Sequence, residues 1–426
     1  MFASAIVALC AFPAVVSHAG TQAVPTPAPL LDDAAIRART IAFEESRVRL
    51  DAQDQITPRM LAAQYLQRYR ETGDVGDVLR AEAQARRSLR AQPHGNVAAL
   101  QALADAQLTL HRFRDALATV RSARRLASSD PSLAMSEASL DLELGDVDSA
   151  RRLVERVGRD SESTETIGAR VAELTGDLPR ARTLLTRALV RTDAMYGVPN
   201  ERRAWFFARR GELAFEAGDA SAAIADERTA LERFPNDLIA LTDAARFSEA
   251  AGAWTDARAF ARHAVDVTPS PENLGLLADA DDRLGDARDA AATRDEIVAV
   301  ERVGNAQHLV DRLLALYDAD HRIRLDDAVA IAVRDRGVRD DVFTEDTLAW
   351  AAARAGRWNL ARRAASKAIA WHTADPRIWY HAAVIAQHDG RRADALRDYE
   401  HALALNPAFA PVFADDARAQ LARLGG

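Results

Sequence analysis

Apolar residues recur at helical spacing along almost the whole chain from about residue 33 onward. They fall three and four residues apart, in segments separated by short polar turns that often contain glycine. Ala, Leu and Arg are abundant in these segments and are strong helix formers, whereas runs of β-branched residues are few. The pattern therefore predicts an all-α chain.

A unit of about 34 residues repeats within this helical pattern. A small residue at position 8 and Ala at positions 20 and 27 allow two helices to approach closely, and Gly at position 15 ends the first helix in a left-handed conformation. Pro at position 32 ends the second helix. Three units fill all five positions. They hold Gly211, Gly218, Ala223, Ala230 and Pro235; Ala245, Gly252, Ala257, Ala264 and Pro269; and Ala383, Gly390, Ala395, Ala402 and Pro407.

Other units keep the same frame less completely. The earliest places Gly76 at the turn, and the unit near Leu309 has no turn glycine. Together with the three complete units they predict about ten helix pairs. The incomplete units begin near Ala62, Val97, Pro131, Glu162, Pro271, Leu309 and Val342.

These repeats resemble the tetratricopeptide-repeat (TPR) superfamily over nearly the whole chain after the N-terminal segment. The C-terminal residues 341–358 and 375–409 are also similar to a group of exported bacterial repeat proteins. The resemblance implies a right-handed superhelical solenoid whose first helices line a concave groove that takes peptides or proteins. One known use of such a groove, grasping an acidic C-terminal tail, needs a set of Lys and Asn side chains that this sequence lacks.

The same pattern divides the chain into consecutive segments. Two places break the rhythm, residues 191–201 and 298–341, and each is either a boundary between two stacks or a tolerated insertion. The predicted segments are a signal peptide (1–19), a Pro-rich flexible linker (20–33), an N-terminal capping helix (34–61), repeats (62–195), an inter-repeat loop (196–203), repeats that are irregular around 298–341 (204–409), and a C-terminal capping helix (410–426).

The first twenty residues differ in character from the rest. Their apolar stretch from Ala5 to Val16 is too short to span a bilayer but suits the central region of a secretory signal. Ser17, His18 and Ala19 would form the cleavage motif, although no basic residue precedes the apolar stretch. We expect an exported, periplasmic or extracellular protein without a transmembrane segment in the mature chain.

The net charge and the motifs of the sequence argue against several classes of function. The net charge of -8 argues against a nucleic-acid partner, which would require a basic surface. The sequence contains no phosphate-binding loop, no zinc-protease motif and no cysteine pair, so we predict neither an enzyme nor a cofactor.

Histidine provides the only candidate for a metal site. Four of the ten histidines lie near the C-terminus, at 372, 381, 388 and 401. His381 and His388 share a helix face but are about 10 Å apart along the helix axis, too far to bind one ion together. We therefore predict no metal site.

Two groups of side chains are predicted to line the groove. Trp350 stands at position 9 of its unit, which normally faces the groove, and Trp, Tyr and Arg dominate binding hot spots. The alternative is that the Trp and Phe side chains pack between adjacent units. The first group is Asp346, Trp350, Arg354, Arg377, Tyr380, His381 and His388; the second is Trp205, Arg209, Glu212, Phe215, Asp243 and Arg246.

The sequence thus predicts a non-enzymatic scaffold or adaptor that binds a protein or peptide along its concave groove. The alternative is an accessory subunit of an envelope polysaccharide or transport assembly, in which groove aromatics also contact carbohydrate. A third hypothesis, an enzyme site within residues 298–341, lacks any nucleophile–base or metal signature. The oligomeric state stays open.

Overall fold

The computed structural model describes residues 33–158, 160–306 and 312–425. Within these ranges the chain forms 22 helices and no strand, which confirms the all-α solenoid. The predicted signal peptide and residues 20–32 of the linker lie outside the described residues. None of the helices in the described ranges combines the length and the apolar character needed to cross a membrane.

The helices follow one another as ten pairs flanked by one helix at each end. In each pair we call the first helix A and the second helix B. The order is α1 Asp33–Leu50; the pairs α2 Thr57–Thr72 and α3 Val75–Ala91, α4 Val97–Thr109 and α5 Phe113–Leu126, α6 Pro131–Glu143 and α7 Val147–Val157, α8 Glu162–Leu174 and α9 Leu178–Asp193, α10 Asn200–Glu216 and α11 Ala220–Arg233, α12 Leu238–Ala250 and α13 Trp254–Val267, α14 Pro271–Leu284 and α15 Ala287–Ala306, α16 Arg312–His321 and α17 Leu325–Val338, α18 Val342–Arg354 and α19 Trp358–Ala368, α20 Pro376–His388 and α21 Arg392–Leu405; and α22 Pro411–Gly425.

Local sequence explains where these helices start and stop. Asp side chains cap many of them: Asp146 accepts a hydrogen bond from the Ser149 backbone N–H at α7, and Asp237 accepts one from Ala240 at α12. The turn glycines predicted at position 15, such as Gly145, have positive φ. These turn predictions, and with them the repeated helix pairs, are confirmed.

The observed boundaries differ from the predicted ones in three places. The N-terminal helix α1 ends at Leu50 and α2 already begins at Thr57, within the predicted capping helix 34–61. The first turn glycine is Gly73, with φ 71°, whereas Gly76 lies inside α3, where its N–H is bonded by the capping side chain of Asp74. Helix α10 begins at Asn200, so only residues 194–199 separate it from α9. Because α9 packs directly on α10, the array is continuous across this insertion.

The hydrophobic core is spread along the array instead of gathered in one centre. Small residues at positions 8, 20 and 27 are buried where A and B helices cross, as for Ala223 and Ala230 in α11. Gly211 of α10 faces this crossing so closely that an added Cβ would lie 3.2 Å from the Ala223 carbonyl oxygen. Each unit therefore depends on its neighbours for burial, as expected of a solenoid.

The solenoid winds back onto itself. Thr373 donates a 2.8 Å hydrogen bond to the carbonyl oxygen of Leu174, 199 residues earlier, and Asn406 donates one of 2.6 Å to Phe215, 191 residues earlier. Leu174 and Phe215 lie in the last turns of α8 and α10, where helical carbonyls lack intrahelical partners. Loops of the second superhelical turn thus cap A helices of the first turn.

Turn glycines of the first superhelical turn lie against the same loops. A Cβ added at Gly145 would lie 2.1 Å from the Asp340 carbonyl oxygen, and one added at Gly176 would lie 2.6 Å from that of His372. We call the line of contacts formed by Gly145 with Asp340, Leu174 with Thr373, Gly176 with His372, and Phe215 with Asn406 the inter-turn seam. Along the seam the middle units contact loops of the C-terminal units, and A helices of both sets of units line a partly open central chamber.

Candidate binding chamber

The chamber has a volume of about 550 Å³ and lies among A helices from α8 to α20 and the start of α22. Its wall alternates charged and apolar side chains. Charged residues on this wall include Arg170, Arg209, Glu212, Glu216, Arg246, Glu249, Glu272, Asp279, Asp282, Arg283, Arg312, Asp320, His321, Asp346, Asp375 and Arg377; apolar ones include Phe215, Trp254, Leu276, Leu316, Tyr317, Phe343, Phe409, Val412 and Phe413.

Six residues of the two predicted groups meet on this wall: Arg209, Glu212, Phe215, Arg246, Asp346 and Arg377. The sequence placed these residues in two separate groups, at α10/α12 and at α18/α20. The winding of the solenoid brings both groups to one chamber, because its two superhelical turns are stacked.

Trp350 does not face the chamber. Its side chain is 0% exposed, its ring stacks on His381 with centroids 4.1 Å apart, and its Nε1–H donates a 2.7 Å hydrogen bond to Asp320 Oδ1. The guanidinium of Arg354 covers the ring at 4.0 Å. The alternative of packing between adjacent units therefore holds for Trp350, because α18, α20 and α22 pack closely enough to cover position 9.

Tyr380 and His381 belong to the same buried cluster. Tyr380 stacks on Phe413 of α22 and donates a 2.8 Å hydrogen bond to Asp416. His381 is 0% exposed and its Nδ1 lies 3.0 Å from Asp346 Oδ1. These side chains form the floor beneath the chamber, and a partner inside the chamber would not touch them directly.

The remaining predicted residues lie apart from the chamber wall. Trp205 lines a second cavity of about 570 Å³, which extends from α4 to α10 and shares Arg209 with the central chamber. His388 stacks face to face on Trp358 of the B helix α19, with centroids 3.5 Å apart. Asp243 is buried beneath Arg246, with which it forms a 3.0 Å ion pair.

Most arginines of the chamber are already neutralised. Arg209 bridges Glu173 and Glu212, and Arg377 pairs with Asp320 at 2.6 Å. Arg283 lies over the ring of Trp254 at 5.0 Å, a cation–π contact. These contacts fix the side chains in place, so the wall is ordered before any partner binds.

His321 is a further fixed charge. Its Nε2 lies 2.8 Å from Asp279 Oδ1 and its Nδ1 lies 2.9 Å from the Tyr317 carbonyl oxygen. Burial opposes protonation, but the hydrogen bond with Asp279 and its negative charge outweigh burial and raise the pKa of His321 to about 9. The pair is therefore an ion pair at neutral pH.

Three carboxylates of the chamber differ from Asp279 and Asp320 because they have no cationic partner in the part of the chain that the structure describes. Glu216, Glu249 and Asp375 form no ion pair with any described residue, and Glu249 Oε1 is buried without a hydrogen-bond partner among them. Burial, followed by the charge of Asp279, raises the pKa of Glu249 to about 8. Burial also raises the pKa values of Glu216 and Asp375, with Glu173 and Asp375 adding to the effect on Glu216.

Replacing Glu249 with Gln is expected to stabilise the protein above neutral pH and to have little effect near pH 5. The folded pKa of about 8 exceeds the ordinary value of 4.5, so folding favours the protonated form. Stability therefore falls as pH rises through this window, and Gln removes the loss. We expect a gain of about 1–3 kcal/mol at alkaline pH, reduced from the full shift by solvent screening.

Thermal unfolding of both proteins at about pH 5 and pH 9 measures this effect, since pH 9 lies beyond the shifted pKa. Glu232→Gln is the matched control, because Glu232 is exposed on the B helix α11. A gain of equal size at both pH values, or in the control, would contradict the assignment of Glu249 as a buried carboxyl with a raised pKa.

Among the described residues, no three His, Cys, Asp or Glu side chains converge closely enough to hold one ion. The carboxyl groups of the wall are instead spread over α10, α12, α14, α16, α18 and the turn before α20. Such a wall suits charged groups carried on an extended ligand better than a compact ion.

Sequence reasoning missed several residues of the wall. Glu249, Asp282 and Asp320 stand at position 12 of three successive units, and Glu216 stands at position 13 of the unit before them. A carboxylate recurring near the end of consecutive A helices is a signal that could have found them. Val412 and Phe413 come from the C-terminal helix α22 and Phe409 from the turn before it, and only the tertiary structure places them at the chamber.

Comparison with known proteins gives similarity of architecture only. No protein-family model and no curated protein sequence matches the chain. Its structure is similar to the crystal structure of PilW, a widely conserved type IV pilus biogenesis factor, with 18% sequence identity and a TM-score of 0.41 over 48% of this chain and 92% of that one. It is also similar to yeast Tom70, with 13% identity and a TM-score of 0.36 over 90% of this chain and 93% of that one.

Proposed function

We propose that this TPR-type solenoid is a non-enzymatic scaffold that binds a protein or peptide segment in its central chamber. The observation that carries the proposal is the chamber itself, which is walled by A helices from both superhelical turns and closed on one side by the inter-turn seam. A concave wall with ordered arginines and aromatic rings suits an extended segment of another chain.

Preorganisation of the wall supports binding. The arginines that line the chamber are held by carboxylates or by aromatic rings, as for Arg377 on Asp320 and Arg283 over Trp254. A partner therefore does not have to immobilise these long side chains when it binds, which lowers the entropic cost of association.

We further propose that the protein acts after export. Support for this comes from residues 1–19 of the sequence, with the apolar stretch from Ala5 to Val16 and the small residues that follow it. The Pro-rich residues after this segment would hold the solenoid away from its point of attachment or cleavage. N-terminal sequencing of the protein recovered from the cell envelope tests the cleavage site after Ala19.

Site-specific photocrosslinking in living cells tests the scaffold proposal. A photoreactive amino acid is placed at Val412, which lines the chamber and is 60% exposed, and in a control at Leu126, which is 54% exposed on the outer helix α5. We expect a discrete, protease-sensitive crosslinked product from position 412 and none from position 126. No product at 412, or the same products at both positions, would count against binding in the chamber.

A further inference from the structure

The distribution of charge in the chamber indicates what the bound segment carries. The described residues on the wall include six arginines and nine carboxylates. Some of these carboxylates, such as Glu212 and Asp320, already pair with the arginines nearest to them. Not every carboxyl of the wall, however, has a cationic side chain as its partner within the described ranges.

The carboxyls of the wall that form no ion pair with any described residue are Glu216, Glu249 and Asp375. All three line the chamber, and Glu249 Oε1 is buried without a hydrogen-bond partner among the described residues. Glu216 is the last residue of α10, and Glu249 is the last but one of α12. The carbonyl ends of both helices carry partial negative charge, which adds to the attraction for a cation at this place.

Burial makes such carboxylates costly when they stay ionised without a partner. An entering ammonium or guanidinium group would offset this cost, because a nearby opposite charge favours the ionised form of a buried carboxyl. Apolar surface beside them, from Phe409 and Val412, would hold the aliphatic part of a long basic side chain. A compact metal ion does not fit, since no three ligands converge in the described part of the chain.

We propose that the chamber binds a segment of a partner protein through a lysine or arginine side chain that is seated among Glu216, Glu249 and Asp375. This inference rests on the proposed scaffold function and adds to it the chemistry of the partner. Glu216 and Glu249 ionise when the basic side chain enters and pair with it, and the ordered arginines of the wall, such as Arg209 and Arg377, exclude acidic segments.

Fluorescence anisotropy with three labelled peptides of equal length tests this proposal. The peptides share a Gly/Ala/Ser backbone and carry lysines, glutamates or only neutral residues at the same positions. They are titrated with the full-length protein, with the variant Glu216→Gln/Glu249→Gln, and with the control Glu155→Gln/Glu232→Gln. Residues 155 and 232 are exposed on B helices, so the control changes the net charge equally. Titration at about pH 9 keeps Glu249 ionised, given its raised pKa.

We expect the lysine peptide to bind at least about tenfold more tightly than the glutamate peptide. The chamber variant should lose about tenfold of this affinity, while the control variant retains it. Circular dichroism should show equal helicity for all three proteins.

Other outcomes separate this proposal from the one on which it rests. Equal binding of all three peptides, or lysine binding that the chamber variant does not weaken, would overturn the cationic proposal, while photocrosslinking at position 412 would still support a peptide scaffold. If no peptide binds and position 412 gives no crosslink, both proposals fail.

Discussion

Substituting Ala for Gly145 is expected to destabilise the protein by roughly 3 kcal/mol or more. An Ala in the left-handed conformation of this turn costs about 1–2 kcal/mol by itself. The added Cβ would also lie 2.1 Å from the Asp340 carbonyl oxygen, so the two superhelical turns must separate locally. Forced shifts of a packed backbone cost about 1–3 kcal/mol more. Thermal or denaturant unfolding followed by circular dichroism measures the total.

Gly356→Ala is the matched control for this substitution. Gly356 occupies the same turn position with φ 72°, but an added Cβ would meet no atom within 4 Å. It should therefore lose only the conformational part, about 1–2 kcal/mol. Equal losses for the two variants would show that the inter-turn seam does not exist in solution.

Substituting Ala for Trp350 is expected to destabilise the C-terminal units by about 3–5 kcal/mol, because it leaves a large cavity in a fully buried cluster. Stacking on His381 and the hydrogen bond to Asp320 would be lost as well. Hydrogen exchange resolved along the sequence should show faster exchange in α16 to α22, and thermal unfolding should begin at a lower temperature.

Trp205→Ala serves as the comparison, since Trp205 is only half-buried at the second cavity. Replacing Trp205 with Ala should lower the free energy of unfolding clearly less than replacing Trp350 does. A loss at Trp350 no larger than at Trp205 would contradict its place in the core. The result also matters for binding studies, because a partner lost by Trp350→Ala would report unfolding of the C-terminal units and not a direct contact.

Local features of this protein follow from its sequence because they depend on contacts within one unit. The glycines at position 15, from Gly145 to Gly390, have the predicted left-handed backbone. In the unit that begins near Val97, position 15 is His111, and this residue adopts the left-handed conformation (φ 56°) although it is not a glycine. The first turn at Gly73 was missed because Gly76, three residues later, fits the spacing almost as well.

The residues of the candidate site were only partly predictable, because the burial of a side chain depends on contacts with neighbouring units. Arg209, Arg246 and Arg377 were identified because their repeat positions face inward. Trp350 stands at an inward position too, yet α20 and α22 cover it. Position within a unit gives the direction of a side chain, whereas its burial depends on how closely the next A helix packs.

The sequence by itself determined the helices, their pairing and the number of units, since each rests on residues less than one repeat apart. Only the tertiary structure decided which residues meet across the inter-turn seam, such as Gly145 with Asp340, and that Glu216, Glu249 and Asp375 share one chamber. The physical reason is that the winding of a solenoid is the sum of small rotations from one unit to the next. No single unit encodes that sum, so contacts between residues 191 to 199 positions apart leave no local signal in the sequence.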